Sequence, residues 1–105
     1  MEEKIEVLRK KIDEVDLEIL NLLGKRMLFA GKIAAEKKKK RLPILQKNRE
    51  KEAISERVKI GKKLRLKPIF TKKLFLLLFR ESKRIQHGKV KYPSMPPALT
   101  KEPDL

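Results

Sequence analysis

Between residues 5 and 33 the apolar side chains fall at alternating steps of three and four: Ile5, Leu8, Ile12, Val15, Ile19, Leu22, Phe29 and Ile33. This spacing predicts one long helix, Glu2–Lys40, with a coiled-coil-like seam. At 1.5 Å per residue such a helix is a rod of roughly 57 Å. A compact domain of this length has a radius of gyration of only about 13 Å. Two shorter helices of the same chain cannot cover the rod, so its seam calls for a partner. The simplest partner is a second copy in a two-fold dimer. The competing reading is a kink near Gly24 or Gly31 that folds the rod back on itself.

Leu42-Pro43 interrupts the helical pattern, because proline removes a backbone donor and restrains the residue before it. A second helix is expected over residues 47–64, with Ile54, Val58 and Leu64 facing inward. Lys67-Pro68 marks the next boundary, and proline suits a first helical turn. The third helix, residues 68–87, carries Phe70, Leu74, Leu77, Leu78 and Ile85, and Gly88 is placed to stop it. No strand-like alternation appears, so the expected fold is all-α: one long and two shorter helices. Four of the six prolines fall beyond residue 88. Residues 1–88 therefore read as the domain and 89–105 as a Pro-rich, mobile tail.

Cysteine is absent, and His87 is the single histidine among 105 residues. Disulfide frameworks, thiolate nucleophiles, Cys/His metal sites and a Ser-His-Asp triad are thereby set aside. No apolar run approaches the roughly 18 residues that span a membrane. The N-terminal segment is charged throughout, unlike a signal peptide. The expectation is a cytoplasmic domain without cofactor or metal. The net charge is +15, yet residues 1–35 hold seven basic and seven acidic side chains. All of the excess lies in residues 36–105. It forms either a solvated lysine-rich surface or a positive field for an anion, a nucleic acid or a small polycarboxylate.

Several polar residues stand where they need explaining. The seam calls for an apolar residue at position 26, and the chain has Arg26. An arginine on a buried stripe is costly unless it meets an anion. Lys37 follows three turns later on nearly the same face. Ser82 and Gln86 are one turn apart on the third helix, and Arg49 and Glu50 open the second. Each alone reads as a surface residue or a structural ion pair. Together they offer cations, neutral hydrogen-bonders and one carboxylate, without a nucleophile or metal ligand. That inventory suits holding a polyanionic small molecule in a shape rather than attacking it.

The stretch LRKKIDEVDLEILNLLGKR, residues 8–26, resembles the opening of the all-helical chorismate mutases, the AroQ class. The likeness continues through Lys37, Pro43-Ile44 and Asn48-Arg49-Glu50 to Glu81-Ser82 and Gln86, in the family's order and spacing. It implies conversion of chorismate to prephenate, in phenylalanine and tyrosine biosynthesis, by an intertwined homodimer. Each of the two sites would use three helices of one protomer and the start of the partner's long helix. By the same resemblance, Arg9 reaches across the dimer to a substrate carboxylate and Arg26 clamps a carboxylate from within the protomer. Lys37 binds a carboxylate and the ether oxygen, and Gln86 donates to that oxygen. Glu50 holds the ring hydroxyl, Ser82 assists a carboxylate, and Arg49 completes the cationic wall. At position 46 many relatives carry an acid that accepts from the hydroxyl. Gln46 keeps an acceptor there but loses the charge.

The residues agree with this at one independent place. Arg9 and Arg26 are 17 positions apart, about 25 Å along a straight helix, and point about 100° apart. They cannot grip one small ligand from the same chain, whereas two antiparallel chains can bring them together. Two other readings compete. One is an isochorismate pyruvate-lyase of the same fold, against which Glu50 and Gln86 weigh. The other is a basic helical nucleic-acid binder, which has the charge but no zinc, RRM or basic-zipper signature and no aromatic stacking platform.

Overall fold

The computed structural model describes residues 2–43 and 47–89. Gln46, and the tail from residue 90 on, lie outside the described residues. Among the described residues the regular elements are three helices: α1, Glu2–Lys40; α2, Lys47–Lys63; and α3, Pro68–Gln86. The chain divides within α1 into two compact units, one ending at Phe29 and the other beginning at Ala30.

The first unit contains the N-terminal turns of α1. Its seam residues, from Ile5 to Leu22 together with Phe29, are 48–58% exposed. That is an apolar stripe left open within the chain, as the three-four spacing implies, interrupted by Arg26 before Phe29.

The second unit contains the last turns of α1 with α2 and α3. All three helices end in the same closure. Leu42 N–H donates to the Lys37 carbonyl (2.8 Å) and Arg41 N–H to that of Lys38 (3.3 Å). Leu66 and Arg65 do the same toward Gly61 (2.8 Å) and Lys62 (3.0 Å), and Lys89 and Gly88 toward Arg84 and Ile85 (both 3.0 Å). Such double closures need a left-handed residue. Here φ is 54° at Arg41, 64° at Arg65 and 74° at Gly88. Only glycine adopts that conformation without steric cost. Arg65→Gly is accordingly expected to raise the unfolding free energy by roughly 0.5–1 kcal/mol, the relieved left-handed cost less the extra chain entropy of glycine. A urea titration that puts the variant's midpoint below wild type would contradict this.

One expectation fails at the α2 closure. Leu64 does not face inward. It lies beyond the last residue of α2 and is 68% exposed, because the turn at Arg65 ends the helical register there. Ile54 and Val58 are half-buried as expected.

α2 and α3 pack against each other through two rows that step by four residues, Ala53-Arg57-Gly61 on one and Thr71-Phe75-Phe79 on the other. Gly61 and Thr71 meet closest: a Cβ on Gly61 would lie 2.7 Å from Thr71 Oγ1. The absent side chain lets the helices approach there and sets their register. Midway along the row the Arg57 guanidinium stands over Phe75 and Phe79, 5.5 and 5.8 Å from the ring centroids. Arg57 Nη1 also donates to the Ala53 carbonyl at 3.1 Å. The arginine thus covers the two rings while its charge is partly hydrogen-bonded.

Candidate active site

Site chemistry gathers at the end of this hairpin away from the Gly61 contact. Glu50 sits in the first turn of α2, where unpaired backbone N–H groups and the helix dipole favour a carboxylate. Following the antiparallel register outward from Gly61 and Thr71, Glu50 falls opposite Ser82 and Lys83 of α3. Lys83 Nζ lies 3.4 Å from Glu50 Oε1. One turn further along α3, Gln86 meets α1: Lys37 Nζ donates to Gln86 Oε1 at 3.0 Å, across 49 positions of sequence.

The Lys37–Gln86 contact opens into a cleft of about 480 Å³. Lys37, Lys38, Arg41, Gln86 and His87 contribute its polar lining, and Leu42 part of the apolar remainder. Arg41 is there because the left-handed closure turns the chain at the end of α1. Since Oε1 of Gln86 is taken by the ammonium, the amide's N–H₂ is left to donate elsewhere. Lys37 has N–H groups beyond the one it gives to Gln86. Both side chains line the cleft, one with a charged donor group and the other with a neutral one. Donors of these two kinds are the chemistry that stabilises negative charge on an oxygen.

The other expected site residues fall as follows. Ser82 is half-buried beside Lys83, and Arg49 is exposed in the first turn of α2. In the first unit Arg26 is half-buried, while Arg9 is exposed and paired with Glu6 at 3.0 Å. About 25 Å of helix separates Arg9 from Arg26, at 1.5 Å per residue. Gln46 is not among the described residues. Among those that are, no group of three or more His, Cys, Asp or Glu side chains is placed to hold a metal ion. Among the described residues no helix is long and apolar enough to cross a membrane.

Sequence reasoning passed over Lys83, Arg41 and Arg57. Lys83 was legible as the fourth member of the Thr71-Phe75-Phe79 row. Nothing in the sequence marks Arg41 as a left-handed residue.

Comparison with known proteins places these features in a common frame. Residues 8–87 match the family described as chorismate mutase type II. A chorismate mutase of Methanocaldococcus jannaschii is 34% identical over 86 residues, which are 82% of this chain and 87% of that protein. A bifunctional chorismate mutase/prephenate dehydratase of Aquifex aeolicus is 34% identical over 79 residues, 75% of this chain. The match spans 22% of that longer protein.

Proposed function

This chain belongs to the type II chorismate mutase family, and from that premise we propose that it converts chorismate to prephenate by an intramolecular Claisen rearrangement. The reaction breaks the ether C–O bond and forms a C–C bond within one molecule. It asks for no acid, base, nucleophile or metal. A protein accelerates it by holding the enolpyruvyl arm over the ring and by stabilising the negative charge that grows on the ether oxygen. The observation that carries the reading is the Lys37–Gln86 contact at 3.0 Å. Two residues remote in sequence form the charged and neutral donor pair that the ether oxygen requires. Glu50 takes the ring hydroxyl, and Gln46, by its family position, is a neutral acceptor for it. Arg9, Arg26, Arg49 and Ser82 take the carboxylates. The excess of positive charge speeds encounter with a dianion.

We further propose that the working form is an intertwined homodimer in the cytoplasm, with Arg9 lent to the partner's site. The open stripe on α1 supports this, since an apolar surface of that extent is covered in a stable protein. Residues 1–88 form the catalytic domain in this reading, and 89–105 a tail that the reaction does not need.

Purified protein incubated with chorismate should consume it and yield prephenate, read as phenylpyruvate after acidification. Chorismate left intact would remove the proposal. Salicylate and pyruvate from isochorismate, with chorismate untouched, would move the assignment to the lyase. A salt-sensitive, submicromolar gel shift without turnover would revive nucleic-acid binding.

A further inference from the structure

Lys83 has no part in the chemistry so far, yet it makes the ion pair that joins α2 to α3 at the site. Its Nζ lies 3.4 Å from Glu50 Oε1, and the two side chains are 34% and 28% exposed. The pairs Arg9–Glu6, Lys39–Glu36 and Arg84–Glu81 differ in kind. Each spans three residues of one helix and has at least one partner more than half exposed. Lys83 ends the row Thr71-Phe75-Phe79-Lys83, so its backbone is fixed by the contacts that lock the hairpin: Gly61 against Thr71, and Arg57 over Phe75 and Phe79. Gln86, three residues on, shares its face of α3.

We propose that Lys83 is a positioning residue: it holds one carboxylate oxygen of Glu50 so that the other is presented to the substrate's ring hydroxyl. The inference rests on the chorismate mutase reading and deepens it at the hydroxyl end of the site. A glutamate side chain turns about three bonds, and unheld it offers its acceptor in many directions. With Oε1 engaged by a lysine on the facing helix, Oε2 is the oxygen left to accept. The hydroxyl is present in substrate and transition state alike. Fixing its acceptor therefore acts mainly on KM rather than on kcat.

The test is a double-mutant cycle on the full chain, using chorismate, with Lys83→Met, Lys83→Arg, Glu50→Gln and the double variant Lys83→Met/Glu50→Gln. Lys83→Met should raise KM about 3- to 10-fold with little change in kcat, as expected for losing one half-exposed ion pair. Lys83→Arg should recover most of the loss. In the Glu50→Gln background, Lys83→Met should add almost nothing, because the carboxylate it acts through is gone. An unchanged KM in Lys83→Met overturns the proposal. So does an equal loss in both backgrounds, which would put Lys83 on the substrate itself or on the fold. Melting temperatures separate those two cases, and Lys83→Gln replaces the methionine variant should that one fail to fold. A wild type without turnover defeats the functional reading and this inference together. An active wild type with additive losses defeats only the role of Lys83.

Discussion

Arg9→Ala and Lys37→Ala, each inactive alone, should recover up to about a quarter of wild-type activity when refolded together, on random two-fold pairing. The two lesions differ in where their effect lands. In the proposed dimer Arg9 is lent to the neighbour and Lys37 is kept at home. A mixed dimer then has one site with both lesions and one with neither. Half of the dimers are mixed, and half of their sites are intact. The single variants are silent because loss of one preorganised donor costs on the order of 10²–10³ in turnover. Arg9 is free to serve elsewhere, since its pairing with Glu6 is an exposed contact of adjacent turns that contributes little. The 17-residue interval to Arg26 keeps the two guanidinium groups from gripping one ligand from a single chain. Absence of recovery, with mixed dimers confirmed by mass spectrometry, would return Arg9 to its own protomer's site and end the case for intertwining.

The helices were legible because their signals are local. The three-four spacing marks α1 from Ile5 to Ile33, and Pro43 and Pro68 fall where backbone donors are not needed. Gly88 supplies a left-handed closure. α2 and α3 end within one residue of expectation. What escaped the sequence is whatever depends on a neighbour across space. Arg41 and Arg65 take the conformation that Gly88 takes, at a cost no residue pattern announces, and the turn at Arg65 is what turned Leu64 outward. Lys37 and Gln86 stood out as polar residues on their helix faces and took their roles only from the family resemblance; that they meet, at 3.0 Å, no local pattern could tell. Lys83 was missed because its importance lies in the register of α2 against α3. That register is set by the close approach of Gly61 to Thr71, two residues with no chemistry of their own.

Gln86→Glu should turn a catalyst with nothing to titrate at this position into one that works only in acid. The geometry supplies the reason. Gln86 Oε1 accepts from Lys37 at 3.0 Å, which leaves the amide N–H₂ to donate, in the proposed site, to the ether oxygen. An ionised glutamate keeps Lys37 as its partner but has no proton to give. It also sets a negative charge beside the oxygen on which negative charge develops. At neutral pH the variant should lose on the order of 10²–10³ in turnover. Protonation restores the donor, so turnover should climb as pH falls through the carboxyl's pKa. The ordinary value is about 4.3; the adjacent ammonium pulls it down and the substrate's carboxylates push it up. The sign is fixed whichever of these prevails: the protonated form is the active one, and activity is lost as pH rises. Gln86→Ala is the control, slow at every pH without this limb, because alanine neither donates nor titrates. A Gln86→Glu enzyme that runs at the wild-type rate with a flat profile would take residue 86 away from the ether oxygen. The C-terminal end of α3 would then lose its place in the chemistry.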